Sequence, residues 1–151
     1  MLIIYGLVLF CNTIFSQAKF EADAGLGLFE AASLKVKYGK NIQFAVCQGF
    51  FDQSLWMTGF EFYFHYAGES KYTDQLPVYF MAGLSGTIFA YGYDTFEKIA
   101  FYPRIGKSFN FSKNIGVNLD VGLALVFTDD GLGKYVAIPF PTGGAHLFLR
   151  I

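Results

Sequence analysis

Apolar residues alternate with small or polar residues along most of the chain. In the clearest run, residues 115–127, the odd positions are apolar from Ile115 to Phe127, and the even positions include Asn118 and Asp120. A helix would spread these apolar residues over all of its faces, whereas a strand collects them on one face. This run is therefore predicted to be a β-strand with one continuous apolar face.

The same alternation predicts eight strands. They are expected at residues 20–29, 33–38, 41–51, 55–66, 77–91, 97–111, 115–127 and 143–151. Tight turns are predicted at residues 38–41 and 112–114, which contain the Gly and Asn that such turns favour, and a long loop is predicted at residues 128–142. The predicted fold class is all-β, an eight-stranded antiparallel up-and-down β-barrel, because closure leaves no unpaired strand edge.

One segment also meets the length of a membrane-spanning helix. Residues 75–93 contain no charged side chain. They include Pro77, several glycines and the β-branched Val78 and Ile88, all of which disfavour a helix. The apolar positions alternate here too, so a strand is favoured and the helix is the alternative.

The two faces of the strands predict an inverted, transmembrane barrel. The apolar face is rich in Leu, Val, Ile and Phe, and the other face is rich in Gly, Ala, Ser and Tyr, as expected for a lipid-facing wall around a narrow interior. The residues predicted to face lipid include Phe60, Phe62, Phe64, Val117, Leu119, Val121, Leu123, Leu147 and Leu149. The charged residues predicted inside are Glu21, Asp23, Lys35, Lys37, Glu61, Arg104, Asp120 and Arg150. These four acids and four bases are expected to pair into a structural network that fills the lumen, so no diffusion pore is predicted.

Composition supports this interpretation. Aromatic residues make up 20% of the chain and charged residues 15%, which is too apolar for a disordered chain. The net charge of -1, without a basic block, argues against nucleic-acid binding. Aromatic girdles are predicted at the two ends of the barrel from Tyr38, Tyr66, Phe109 and Phe111 on one side and Phe50, Phe51, Trp56, Tyr91 and Phe127 on the other.

The first residues are predicted to direct export. Residues 1–16 contain no charged residue; they are apolar at first and end in less apolar and small residues, which is typical of a signal peptide. A first buried strand is the alternative. Residues 17–151 then form the barrel domain, with Cys47 as their one cysteine and therefore no internal disulfide.

The sequence predicts no chemistry. His65 and His146 are the two histidines, both predicted to point inward, and no His, Cys and carboxylate group has the spacing of metal ligands. Neither a nucleotide-binding loop nor a nucleophile elbow is complete. The chain is predicted to lack catalytic residues, metal and cofactor, and an ion path through Glu61, Arg104 and Asp120 is a disfavoured alternative.

Three segments resemble those of a known group. They are the strand-turn-strand of residues 106–117 (GKSFNFSKNIGV), the signal ending at residues 15–17, and the C-terminal alternation of Leu147, Leu149 and Ile151. Together they resemble the small eight-stranded outer-membrane β-barrel proteins of Bacteroidota. The resemblance implies a porin-like fold in the outer membrane of a Gram-negative cell, short turns at the periplasmic end, and insertion by the barrel-assembly machinery.

These observations predict a non-enzymatic outer-membrane barrel with a side-chain-filled lumen. Its contacts are expected to be membrane lipid and, through the loops, a surface partner that the sequence does not identify. The alternative is a secreted, soluble, lipocalin-like barrel that carries a small apolar ligand.

Overall fold

Eight antiparallel strands close into a barrel in a computed structural model, which describes residues 19–52, 55–91, 94–129 and 135–151. The strands are β1 (Lys19–Gly27), β2 (Ala31–Gly39), β3 (Ile42–Asp52), β4 (Leu55–Ala67), β5 (Val78–Tyr91), β6 (Asp94–Asn110), β7 (Ile115–Asp129) and β8 (Tyr135–Arg150). Each strand pairs with its neighbours in sequence, and β1 pairs with β8 to close the sheet. The predicted all-β, eight-stranded up-and-down barrel is confirmed.

The uncharged segment that could have been a helix is a strand. β5 covers most of residues 75–93, so the helical alternative is wrong, as its Gly and β-branched residues indicated. No helix among the described residues is long and apolar enough to cross a membrane. The predicted signal peptide, residues 1–16, lies outside the described residues.

The long loop predicted at residues 128–142 is wrong. β7 continues to Asp129, and β8 begins at Tyr135 and stays in one register with β7, from Tyr135 opposite Asp129 to Leu149 opposite Ile115. Pro139 and Pro141 suggested a loop because proline donates no hydrogen bond to a β-ladder. The ladder between β7 and β8 accommodates both prolines because their backbone nitrogen atoms point away from β7.

Pro139 and Pro141 lie on a free strand edge. β1 ends at Gly27, opposite Gly144, so no described strand pairs with the β1-facing edge of β8 from Tyr135 to Thr142. Odd-numbered residues of β8 point their backbone groups to this edge, since the Leu28 amide donates to the Gly143 carbonyl at 2.8 Å. The two prolines therefore remove N–H donors from the exposed edge and not from the ladder, a known protection against edge-to-edge pairing.

Replacing both prolines by valine, Pro139→Val with Pro141→Val, is expected to increase self-association. The change restores two N–H donors on the free edge of β8, so the edges of two chains can pair. Crosslinking followed by gel electrophoresis should show a several-fold rise in the dimer fraction. Pro103→Val is the matched control, because Pro103 lies within the closed sheet, opposite Ala82 on β5 and between residues of β6 that pair with β7. An unchanged dimer fraction in the double variant would show that the prolines do not protect this edge.

The barrel has two ends that differ in their connections. The terminal end holds the start of β1, the end of β8 and the connections at residues 40–41, 68–77 and 111–114. The opposite end holds the connection at residues 28–30 and the ends of β3, β5 and β7. The longest of these connections, residues 68–77, therefore lies at the terminal end.

Side chains alternate between a buried interior and an exposed outer wall. Tyr63, Tyr79 and Tyr102 point inward and are at most 2% exposed. On the outer wall, Phe60 is 67% exposed and Val121 is 71% exposed. The strand periodicity therefore sets the site, because it collects the polar side chains of all eight strands inside one narrow barrel.

Candidate functional site

Nine buried charged side chains occupy the interior in the described part of the chain. The structure places all eight charged residues predicted for the lumen inside the barrel, each at most 5% exposed, and adds Glu30. These nine residues are called the lumen network: Glu21, Asp23, Glu30, Lys35, Lys37, Glu61, Arg104, Asp120 and Arg150. Buried charges are stable only when they are paired and hydrogen-bonded, so their contacts decide what the interior can do.

The central cluster of the network is organised around Arg104. Its guanidinium binds both carboxylate oxygens of Glu30, at 2.6 and 2.8 Å, in the two-pronged geometry that favours Arg. It also contacts Asp120 Oδ1 at 3.1 Å. Lys35 Nζ lies 2.9 Å from Glu61 and 3.4 Å from Glu30, and so joins a second carboxylate to the cluster. Three acids and two bases thus share one buried site.

Glu30 reaches this site from a turn and not from a strand. It lies in the connection between β1 and β2, just before Ala31, whose φ of +49° is in the left-handed region. A Cβ at Gly27 would come within 2.3 Å of Glu30 Oε2, so a glycine is needed there to leave room for the carboxylate. The positive charges of Arg104 and Lys35 offset the cost of burying the Glu30 carboxylate at this site.

The terminal cluster of the network lies nearer the terminal end and is balanced in charge. Lys37 Nζ contacts Asp23 at 2.6 Å and Glu21 at 3.0 Å. Arg150 Nη2 contacts Glu21 Oε2 at 2.6 Å, and the Asn118 amide donates to Asp23 at 3.1 Å. Two acids and two bases thus neutralise each other without solvent.

Tyrosine side chains fill the space around both clusters. The Tyr63 hydroxyl donates to Glu61 at 2.5 Å, the Tyr102 hydroxyl donates to the same carboxylate at 3.2 Å, and the Tyr79 hydroxyl donates to Asp120 at 3.2 Å. Lys37 Nζ also lies 4.5 Å from the centre of the Tyr63 ring, so Tyr63 touches both clusters. The described interior is therefore filled by aromatic rings as well as by ion pairs.

The terminal end of the interior is covered by the 68–77 connection. His65 Nδ1 donates to the Leu76 carbonyl oxygen at 2.7 Å, and Gln75, which is buried, donates its side-chain amide to the Lys40 carbonyl oxygen at 2.7 Å. His65 Nε2 lies 3.1 Å from the Gln75 amide nitrogen and 3.0 Å from Gln43 Oε1. His65 is thus engaged in holding this connection over the mouth of the barrel.

The side chains in the interior pair their charges and fill the space inside the barrel. His146 contacts the Ser33 hydroxyl at 3.1 Å, and Cys47, a buried free thiol, contacts the Tyr102 hydroxyl at 3.5 Å. Among the described residues, no group of three or more His, Cys, Asp and Glu side chains could hold a metal ion. What the geometry supports directly is an interior locked by ion pairs.

The outer wall carries the residues predicted to face lipid. They point outward; Val117 is half-buried, and the others are exposed between 37% for Phe62 and 71% for Val121. Of the aromatic residues predicted for the girdles, Tyr38, Tyr66, Phe109, Phe111 and Trp56 are exposed on this wall, and Phe50 and Phe127 are half-buried. The side chains of Phe51 and Tyr91 lie outside the described part of the structure.

Sequence reasoning missed Glu30 and the role of the tyrosines. Glu30 is the one charged residue between Asp23 and Lys35, in an otherwise uncharged run, and that isolation was a usable signal. Glu30 was not predicted to lie in the interior, because β1 was expected to continue to residue 29 and Glu30 then fell just outside the strand. Tyr63 lies two residues from Glu61 on β4, and Tyr102 lies two residues from Arg104 on β6, so the alternation within each strand is the signal that places these two tyrosines on the inner face.

Comparisons of the chain with protein-family models, with curated proteins and with solved structures find no match.

Proposed function

We propose that this chain is an integral outer-membrane β-barrel without enzymatic activity, which serves as a structural or surface-interaction protein and contacts membrane lipid with its outer wall. The proposal rests on one observation: the charged side chains face the interior of the barrel, and the large apolar side chains face outward. Arg104, Glu30 and Lys35 are paired at the centre of the barrel, while Phe60, Leu84 and Val121 are exposed on its surface. A barrel dissolved in water would have the opposite arrangement.

The extent of the apolar surface supports a lipid environment. Apolar residues are exposed along every strand, and contiguous apolar patches of this kind are rare on soluble monomers. In hydrocarbon the same surface is favourable, and the closed ladder pairs most backbone groups of the strands, while the free edge of β8 from Tyr135 to Thr142 extends past the end of β1. The shortest strands have 9 residues, the length that spans a bilayer at a steep tilt.

The filled interior favours this proposal over a carrier of an apolar ligand. A lipocalin-like carrier needs an apolar cavity at its centre. The described interior instead contains the ion pairs of the lumen network and the hydroxyl groups of Tyr63, Tyr79 and Tyr102. Those groups would have to be displaced for an apolar molecule to enter. This requirement favours a membrane protein over a carrier of an apolar ligand.

Refolding the chain into phospholipid vesicles tests the proposal. We expect a folded form that resists extraction by alkaline carbonate and migrates differently on gels before and after boiling, as stable barrels do. We also expect no release of a small trapped sugar beyond that of protein-free vesicles, because side chains fill the lumen. Recovery of the folded chain in the aqueous fraction without detergent would contradict the membrane location, and sugar release would contradict the closed lumen.

A further inference from the structure

An apolar groove and a polar cleft meet on the outer wall close to the terminal end. The groove, of about 530 Å³, is lined by residues that include the apolar Val78, Ile105, Leu119 and Val121. The cleft, of about 330 Å³, lies between the end of β6 and the 68–77 connection. Lys107 lines both, so its side chain stands at the boundary between them.

Lys107 is an unusual residue for this wall. Its neighbours across the ladder are Val78 on β5 and Leu119 on β7, both apolar. Its ammonium lies 5.3 Å from the centre of the Phe109 ring, and no described carboxylate forms an ion pair with it. A lysine at the margin of an apolar band extends its charge toward the polar region of the bilayer. With the outer wall in lipid, as proposed above, this ammonium would lie near the level of the headgroups.

The cleft supplies further groups that suit a phosphate. Lys71 adds a second ammonium. The Ser70 hydroxyl oxygen accepts from the Asn110 amide at 3.2 Å and from the Tyr72 backbone N–H at 3.3 Å, so its own hydrogen is available to donate. Glu69 is the one acid that lines the cleft, and the two lysines outnumber it.

We propose that the groove and the cleft together bind one anionic phospholipid. An acyl chain lies in the groove along Ile105, Leu119 and Val121, and the phosphate lies in the cleft between Lys107 and Lys71. This inference rests on the proposed function, because it needs the outer wall to face lipid. The continuity of an apolar groove with a cationic cleft distinguishes a lipid from free phosphate, which would use the cleft alone.

Native mass spectrometry of the refolded full chain tests the proposal. The protein is released from micelles containing equal amounts of phosphatidylglycerol and phosphatidylcholine with the same acyl chains. We expect one retained phosphatidylglycerol in preference to phosphatidylcholine, and about fivefold weaker retention after Lys107→Gln. Lys113→Gln is the matched control, because Lys113 lies at the same end of the barrel outside both concavities. It should leave the retention unchanged.

Two further experiments distinguish a bound lipid from a bound free phosphate. Val121→Trp fills the groove and should reduce the retention of both lipids, whereas water-soluble glycerophosphate should not displace the bound lipid. Equal retention by the wild type and Lys107→Gln, or displacement by glycerophosphate, overturns the lipid site. If the chain inserts into vesicles and the lipid preference is absent, only this inference fails; if the chain does not insert, the proposed function fails with it.

Discussion

Arg104→Met is expected to destabilise the folded barrel by about 3–5 kcal/mol, because it leaves buried charges without their partner. The guanidinium of Arg104 binds both oxygens of Glu30 and one oxygen of Asp120, and none of the three side chains reaches solvent. Methionine has a similar length and no charge, so the loss reports the ionic contacts more than the packing. Urea unfolding in detergent micelles, followed by the fluorescence of Trp56, the single tryptophan, measures the free energy of unfolding.

A second variant separates charge pairing from a general loss of packing. Adding Glu30→Gln to Arg104→Met removes one of the uncompensated carboxylates, so the double variant is expected to be less destabilised than the sum of the two single variants. Asp74→Asn is the control for an exposed contact, since the Asp74 carboxylate is 92% exposed and lies 3.9 Å from Lys40. It should change stability little. A loss below about 1 kcal/mol for Arg104→Met would mean that the central cluster is not a closed network.

Leu84→Arg is expected to destabilise the inserted barrel by about 2–4 kcal/mol. Leu84 is exposed, lies midway along β5, and has the apolar Phe60 and Phe101 as its cross-strand neighbours. A guanidinium there would be placed in the hydrocarbon near the middle of the bilayer, far from water. The free energy of unfolding of the vesicle-inserted protein measures the effect.

The position of the substituted residue supplies the control for Leu84→Arg. Tyr66→Arg places the same charge near the terminal end, where the headgroups are expected, and should have a loss of about 0–1 kcal/mol. If the barrel were dissolved in water, Leu84→Arg would remove an exposed apolar side chain and leave the stability almost unchanged. Equal effects at the two positions would therefore contradict a bilayer across the middle of the barrel.

The alternation of apolar and polar residues at every second position was enough to predict the barrel and the direction of most side chains. The alternation in β7, from Ile115 to Phe127, describes its inner and outer faces as the structure has them. This works because a strand has one strict periodicity, so an error of one residue would turn a whole apolar face inward. The charged residues of the lumen network on the strands, such as Arg104 and Asp120, follow from the same rule.

What the sequence could not supply depends on the backbone and on distant contacts. Glu30 is inside because a turn with a left-handed Ala31 directs it there, and no alternation describes a turn. β8 begins at Tyr135 because its prolines face a free edge, and the direction of a backbone N–H depends on the register with β7. The pairing of Lys35 with Glu61, 26 residues away in sequence, depends on how three strands are placed around the barrel.

Whether the outer wall faces lipid is measured by the collision accessibility of a spin label at position 84 in vesicles. The label is attached to Leu84→Cys in a chain whose Cys11 and Cys47 are replaced by Ser. Oxygen concentrates in hydrocarbon and a chelated nickel complex stays in water, so their relaxation effects report the surroundings of the label. An outer wall in contact with acyl chains predicts strong relaxation by oxygen and almost none by nickel; strong relaxation by nickel would contradict it.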